Sequence, residues 1–192
     1  MRIVVTGSIG CGKSTVVKAL QEQLPTHFSF DFDKMVHELY SNENVQIQML
    51  SAFGTCERCE ISNIVHSDPN QMDKLMQITN GFILAKVGVA FNENDAILDI
   101  PLWFEHIEAW GWKPDAVICV TCEPTIQRQR IKSRDGITDE KIDSILAKQL
   151  PQEEKARRST FVVENNGPVD EVRERVVAFI TGFPHIALEE QR

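Results

Sequence analysis

The sequence has neither an excess of positive charge nor a long hydrophobic stretch. Its 20 Lys and Arg residues face 28 Asp and Glu residues, for a formal net charge of −8, so a broad surface for a nucleic-acid backbone is not expected. No window reaches the ~18 apolar residues of a membrane-spanning helix. A cleaved signal peptide would remove the strand-like run 2–6. We therefore expect a cytoplasmic protein without a nucleic-acid or membrane partner.

Cysteine is scarce and odd in number. Five cysteines are typical of a reducing compartment rather than of a disulfide framework. Four of them form two C-x-x-C pairs, Cys56 with Cys59 and Cys119 with Cys122, and four thiolates could hold zinc. Cys119 lies in a strand-like run, however, where residues three apart point to opposite faces. Structural zinc is therefore the less favoured alternative.

Short apolar runs alternate with helical patterns along the chain. This alternation predicts βα units around a parallel sheet. A chain of 192 residues with no repeat or linker predicts a single domain over 1–192. The predicted strands are 2–6, 28–31, 96–100, 116–121 and 160–164. The predicted helices are 13–24, 33–52, 69–92, 124–134, 139–149 and 169–181, with an exposed turn over 53–60.

A glycine-rich loop joins the first predicted strand to the first predicted helix. Its sequence, G-S-I-G-C-G-K-S at positions 7–14, matches G-x-x-x-x-G-K-[ST]. The glycines let backbone N–H groups surround phosphate oxygens, Lys13 would reach the β- and γ-phosphates, and Ser14 would bind Mg²⁺. The motif predicts an α/β fold of the P-loop NTPase type, with five parallel strands flanked by helices. The predicted ATP contacts here are Gly10, Cys11, Gly12, Lys13, Ser14 and Thr15.

The rest of the chain favours a small-molecule kinase. The N-K-x-D motif of Ras-type GTPases is absent, and a large motor needs a longer chain. A compact kinase requires an acceptor-side carboxylate and an arginine-rich lid over the ATP phosphates. Asp31 and Asp33 end the second predicted strand, and four cations lie within 128–134. Arg130 and Arg134 share one helix face, although a charge run can also be a solvated surface.

Six ordered sequence blocks resemble the dephospho-CoA kinase family, whose members phosphorylate the ribose 3′-hydroxyl of dephospho-CoA to give coenzyme A and ADP. The blocks are T-G-S-I-G-C-G-K-S-T at 6–15, D-F-D-K-M-V-H at 31–37, I-V-H-S-D-P at 64–69, D-I-P-L-W-F-E at 99–105, Q-R-Q-R-I-K-S-R-D-G at 127–136, and Q-L-P-Q-E-E-K at 149–155 followed by V-V-E-N-N-G at 162–167. The resemblance implies ATP and dephospho-CoA as substrates and Mg²⁺ as cofactor. Asn80-Gly81 stands where the family usually has His-Pro, which leaves the acceptor choice open.

The resemblance implies Asp33 as the acceptor-side base, with Asp31 as the alternative. Adjacent-but-one residues of a strand point the same way, so both carboxylates are expected at the acceptor. Trp103 and Phe104 follow the third predicted strand and form either a wall of the acceptor site or part of the core. The implied acceptor-binding residues are Asp31, Asp33, His37, Pro101, Leu102, Trp103 and Glu105.

On the ATP side, the resemblance implies that Arg134 neutralises the transferred phosphate, with Arg130 supporting it. Asn165 would lie beside the adenine. Asp99 would hold Mg²⁺ through water, or would be a cap or turn residue before Pro101. The implied catalytic residues are Asp33, Lys13 and Arg134.

Two further expectations concern organisation and function. The acceptor side is expected in the helical region 33–92 and the lid in 124–158, in a monomer or small homo-oligomer. The alternatives to a dephospho-CoA kinase are a kinase of another small acceptor, such as a (deoxy)nucleoside monophosphate, and a nucleotide-binding regulatory protein without turnover.

Overall fold

One parallel sheet runs through the computed structural model, which describes residues 1–108 and 111–182. The strands found there are β1 (Arg2–Thr6), β2 (Phe28–Asp31), β3 (Ala96–Asp99), β4 (Ala116–Thr121) and β5 (Phe161–Glu164). Their order is β2-β3-β1-β4-β5. β1 pairs in parallel with β3 and β4, and β4 pairs in parallel with β5. The five-stranded α/β fold is confirmed, and each predicted strand is within one residue of its observed bounds.

Helices connect the strands. They are α1 (Lys13–Gln23), α2 (Phe32–Tyr40), α3 (Glu43–Phe53), α4 (Arg58–Ser67), α5 (Pro69–Asn92), α6 (Pro124–Asp135), α7 (Asp139–Leu146), α8 (Gln152–Arg158) and α9 (Val169–Gly182). A π-helical turn, Trp103–Ile107, follows β3.

The sequence-based helix bounds were wrong in three places. The predicted helix 33–52 is two helices, because the Asn42 side chain accepts a hydrogen bond from Val45 N–H and starts α3 anew. Part of the predicted turn over 53–60 belongs to α4, which was missed. The seven residues of α8, Q-E-E-K-A-R-R, were also missed, because a helix with one small apolar residue carries no hydrophobic period.

The chain divides into two compact units. The sheet unit consists of Met1–Phe30 and the described residues from Glu93 onward, and the helical unit is Asp31–Asn92. In the sheet unit, the buried residues of β1 and β4 pack with α1 and α9 in one apolar cluster that includes Ile3, Leu20, Ile118 and Phe179. In the helical unit, α2 to α5 enclose a second cluster that includes Leu39, Met49 and Ile61. The assignment of the whole chain to one kinase domain stays a prediction.

Phe179 offers a test of the sheet-unit core. Its side chain is 1% exposed, and its ring centroid lies 5.4 Å from that of Phe161. Phe179→Ala should lower the free energy of unfolding by about 3–5 kcal/mol, because it removes buried apolar area and leaves a cavity. Val177→Ala, at a 41% exposed position of the same helix, is the control and should change it by less than about 1 kcal/mol. Equal effects in urea denaturation would contradict this packing.

Candidate active site

The P-loop, residues 7–14, contains three glycines with positive φ, and two of them, Gly10 and Gly12, have left-handed backbone conformations. Gly12 directly precedes α1 and has a φ of 85°. A Cβ atom at Gly12 would lie 2.1 Å from Asn165 Nδ2. Gly10 has a φ of 81°, and a Cβ atom there would lie 2.6 Å from Ile131 Cγ1. Gly12, a fixed position of the motif, and Gly10, a variable position, are therefore favoured by both conformation and space.

The P-loop leads into a helix N-terminus suited to an anion. The α1 helix has no side-chain cap, so its first N–H groups and its positive dipole end are available to phosphate oxygens. Lys13 Nζ donates a hydrogen bond to Gly7 O at 3.0 Å, which places the ammonium group against the P-loop. Ser14 is exposed, and Thr15 N–H donates to Gly12 O at 3.0 Å.

A cleft of about 580 Å³ joins the P-loop to helix α6. It is lined by Gly10, Gly12, Ser14, Ile126, Gln129, Arg130, Ser133 and Arg134. The expected arginine face of this helix therefore shares a cleft with the phosphate loop. Such a cleft, with a helix N-terminus on one side and two guanidinium groups on the other, is chemically suited to a polyphosphate.

The four cations of 128–134 divide into two pairs. Arg130 and Arg134 line the cleft. Arg130 Nη1 donates to Asn165 O at 2.9 Å, and Arg134 Nε donates to its neighbour Asp135 at 2.7 Å. Arg128 and Lys132 instead form ion pairs with acidic residues of α7. Arg128 and Lys132 thus face α7, whereas the phosphate-binding role of Arg130 and Arg134 stays a prediction.

Asn165 contacts the P-loop directly. Its side chain is buried, and Nδ2 donates a hydrogen bond to Cys11 O at 2.8 Å. The residue follows β5, so the carboxyl edge of the sheet delivers it to the loop. This contact holds the Asn165 side-chain nitrogen against the P-loop backbone. The position of Asn165 beside adenine stays a prediction.

Three glutamines for which no role was predicted from the sequence also contact the P-loop. Gln149 Oε1 accepts from Ile9 N–H at 3.1 Å, and Gln127 Nε2 donates to Ile9 O at 2.6 Å. Gln152 Oε1 accepts from Cys11 Sγ at 3.2 Å. Gln127 and Gln149 are the first residues of two of the blocks that resemble the family. The sequence therefore marked both positions, but it did not show that their side chains contact the P-loop.

Asp99 lies at the sheet edge from which the P-loop departs. It is the last residue of β3 and pairs in register with Val5, two residues before the P-loop begins. The cap alternative is not observed, because the next helical element begins only at Trp103, after Leu102. Clusters of three or more His, Cys, Asp and Glu side chains suited to a metal do not occur in the described residues. Ser14 and Asp99 offer oxygen donors, which fit the few protein ligands that Mg²⁺ uses beside phosphate and water.

The segment after β3 is held by a buried ion pair. Lys155 Nζ, fully buried, lies 2.7 Å from Glu105 Oε1, whose side chain is 8% exposed. Lys155 also donates to Pro101 O, which accepts from Thr6 Oγ1 at 3.0 Å. Glu105 Oε1 accepts in addition from Leu150 N–H at 3.0 Å. One oxygen of the Glu105 carboxylate thus joins the β3 loop to α8, and the expected place of Glu105 at the acceptor stays a prediction.

The aromatic residues of this segment are packed inside. Trp103 is 1% exposed and Phe104 is 8% exposed. The Arg158 guanidinium carbon lies 4.6 Å above the Phe104 ring centroid, a cation–π distance. The structure favours the core alternative for both side chains, while Pro101 and Leu102 are half-buried.

The placement of both acceptor carboxylates on one strand is wrong. Asp31 ends β2 and caps α2, where its side chain accepts a hydrogen bond from Lys34 N–H at 2.9 Å. Asp33 lies in the first turn of α2, because the capped helix begins at Phe32. Asp31, Asp33 and the later residue His37 are all exposed. The two carboxylates therefore have different backbone settings, and only that of Asp31 serves the helix cap.

Comparison with known proteins identifies the family of this chain. The family model described as CoaE, dephospho-CoA kinase, matches residues 1–171. This chain belongs to the dephospho-CoA kinase family. It is 37% identical to the dephospho-CoA kinase of Agrobacterium fabrum over 192 residues, which covers 92% of this chain and 95% of the relative. It is likewise 37% identical to that of Rhodopseudomonas palustris strain CGA009, with 88% of each chain covered.

Solved structures show the same fold. A Campylobacter jejuni dephospho-CoA kinase superposes with a TM-score of 0.64 at 25% identity, covering 93% of this chain and 94% of that one. TT1252 from Thermus thermophilus reaches a TM-score of 0.79 at 27% identity, covering 94% and 95%. A shikimate kinase from Aquifex aeolicus, at 13% identity and a TM-score of 0.56, covers 96% and 99% and shares the fold alone.

The Lys155–Glu105 pair offers a test of whether a buried ion pair stabilises the segment after β3. Lys155→Met should lower the free energy of unfolding by about 3–5 kcal/mol, because it leaves the Glu105 carboxylate buried without its counter-charge. The double variant Lys155→Met/Glu105→Leu should recover much of that loss. Arg157→Met, at an exposed position of the same helix, is the control. A single variant as stable as this control would show that the pair is not a buried charge pair in solution.

Proposed function

We propose that this chain transfers the γ-phosphoryl group of ATP to the ribose 3′-hydroxyl of dephospho-CoA, giving coenzyme A and ADP. The observation that carries the proposal is the shared cleft of the P-loop and the Arg130–Arg134 face, in a chain whose family match covers residues 1–171. Five free cysteines support a reducing, cytoplasmic location.

On the ATP side, the chain contributes positioning and charge. Backbone N–H groups of the P-loop and the N-terminus of α1 would bind phosphate oxygens, and Lys13 would hold the β- and γ-phosphates in line with the acceptor. Arg134, exposed in the cleft, would neutralise the charge of the transferred group. Mg²⁺, held by Ser14 and by Asp99 through water, would supply further charge neutralisation when bound.

On the acceptor side, we assign the proton-accepting group to Asp33. Its carboxylate is exposed, and it lies in the block D-F-D-K-M-V-H at 31–37 that resembles the D-x-D block of the family. Asp31 has a competing structural task, since its oxygen accepts the Lys34 N–H that starts α2. A carboxylate that orients the hydroxyl and removes its proton during attack contributes about 10²–10⁴-fold to the rate.

A kinase of another small acceptor remains the second candidate, because Asn80-Gly81 replaces the usual His-Pro of the family. Both residues lie within α5 of the helical unit. An ADP-release assay with dephospho-CoA, nucleosides and nucleoside monophosphates distinguishes the candidates. The proposal predicts turnover with dephospho-CoA far above the other acceptors. Faster turnover with a nucleoside monophosphate would favour the second candidate, and ATP binding without turnover would favour a regulatory protein.

Lys13→Ala should reduce turnover to near background, because the P-loop loses its phosphate-facing ammonium group. Lys18→Ala changes an exposed lysine of the same helix and serves as control, with activity close to wild type. The measurement is kcat in the ADP-release assay, with circular dichroism to show that both variants fold. A folded Lys13→Ala protein with near-normal activity would refute the P-loop assignment.

Asp33→Asn should lower kcat by about 10²–10⁴-fold, since it keeps the side-chain shape and removes the basic oxygen. The KM for ATP should stay nearly constant. Asp31→Asn is the matched variant and should cost much less, because asparagine also caps a helix well. If Asp31→Asn were the more damaging of two folded variants, the base would be Asp31.

A further inference from the structure

Two buried thiols from different segments meet behind the P-loop. Cys11, within the loop, is 0% exposed, and Cys122, directly after β4, is 7% exposed. Both are free thiols, and each side chain shifts the pKa of the other. Cys122 Sγ also lies 4.0 Å from the carbonyl oxygen of Gly10. The kinase chemistry described above uses neither sulfur.

Gln152 fixes the two cysteines relative to each other. Its Oε1 accepts from Cys11 Sγ at 3.2 Å and from Cys122 N–H at 2.9 Å. Its Nε2 donates to Cys122 O at 3.1 Å. One residue therefore binds both the Cys11 sulfur and the Cys122 backbone, which brings the two cysteines together, and a disulfide requires the two sulfurs to close to about 2.05 Å.

The two sulfurs differ in their tendency to ionise. The pKa of Cys122 is lowered, chiefly by the neighbouring Cys11 side chain and also by the positive charge of Arg130, against the opposing effect of burial. The pKa of Cys11 is raised by the Cys122 side chain and by burial. Cys122 is thus the more readily ionised of the two thiols and the better nucleophile at the start of the reaction. Cys119, by contrast, has its pKa raised to about 11 by burial.

We propose that Cys11 and Cys122 form a reversible disulfide when the protein meets hydrogen peroxide, and that this bond switches off nucleotide binding. The Cys122 thiolate attacks one peroxide oxygen and displaces hydroxide, which gives a sulfenic acid. The Cys11 sulfur then attacks the sulfenic sulfur, the S–S bond forms and water leaves. In balance, two thiols and one hydrogen peroxide give one disulfide and two waters. A dithiol reductant restores both thiols.

The bond would act through the shape of the P-loop. Cys11 lies between Gly10 and Gly12, whose φ values of 81° and 85° give the P-loop its shape at this point. Drawing the Cys11 sulfur toward Cys122 shifts this backbone from the geometry that surrounds phosphate, and a displacement of about 1 Å can cost about 10²-fold in rate. Bound ATP should in turn slow formation of the disulfide. ATP binds the P-loop with both thiols reduced and therefore stabilises that form.

The test uses the full chain treated with hydrogen peroxide, with free thiols then blocked by an alkylating reagent. Non-reducing peptide mapping by tandem mass spectrometry should find Cys11 joined to Cys122, and formation should be slower with ATP present. Activity should fall by about 10²-fold and return with dithiothreitol. Absence of the Cys11–Cys122 bond, or formation of that bond without loss of activity, would overturn the proposal.

Matched variants separate this pair from the other cysteines. Cys122→Ser, outside the nucleotide site, should keep the starting activity and resist peroxide, and Cys122→Ala provides the same test if serine disturbs folding. Cys56→Ser/Cys59→Ser removes the C-x-x-C pair of the helical unit and should remain as sensitive as wild type. Inactivation of Cys122→Ser at the wild-type rate would refute the proposal.

The loss of activity rests on the proposed kinase function, but the disulfide does not. Peptide mapping measures the bond whether or not dephospho-CoA is the acceptor. An enzyme inactive toward dephospho-CoA before oxidation would refute the proposed function while the mapping result still decides the disulfide. In that case ATP binding, followed by fluorescence of a nucleotide analogue, replaces turnover as the readout.

Discussion

The shape of the P-loop depends on hydrogen bonds that come from outside it. Backbone groups of residues 9 and 11 are held by Asn165, Gln127 and Gln149. The loop bonds some of its carbonyls internally, such as Ser8 O to Cys11 N–H, but those of residues 9 and 11 need outside donors, and a buried carbonyl without a partner costs about 1–3 kcal/mol. The amide side chains meet this need from α6, from the segment before α8 and from the end of β5. The phosphate site is therefore a property of the whole sheet unit rather than of eight residues.

In the sheet unit, buried charged side chains pair with each other, whereas exposed ones face the cleft or a neighbouring helix. The Lys155–Glu105 pair is buried and paired, which suits a role in fixing the loop after β3. Arg130 and Arg134 lie in the open cleft, where positive charge can meet a polyphosphate. Arg128 and Lys132 are occupied by acidic residues of α7. Helix α6 thus presents two cations to the cleft and two to α7. The spacing of the four cations in the sequence did not distinguish these two pairs.

The sequence predicted the sheet and the P-loop because both have strong local signals. A continuous apolar run identifies a buried parallel strand, and the glycines of the P-loop are fixed by positive φ values. Contacts between distant segments had no such signal. The bond from Asn165 to the P-loop joins residues 154 positions apart, and the role of Gln152 depends on a helix without hydrophobic periodicity. Asp33 was wrongly predicted to lie on the strand, because the preceding residues have the alternating pattern of a strand. The Asp31 side chain caps α2 instead, so the helix begins before Asp33.

Phosphorus NMR of the product made from ATP and dephospho-CoA tests the central claim most directly. The account predicts a new phosphomonoester resonance, with coupling that places it on the ribose 3′-oxygen, in step with ADP formation. It requires the P-loop to deliver the γ-phosphoryl group to that single hydroxyl. A product phosphorylated at another position, or ADP formed with inorganic phosphate alone, would contradict the account.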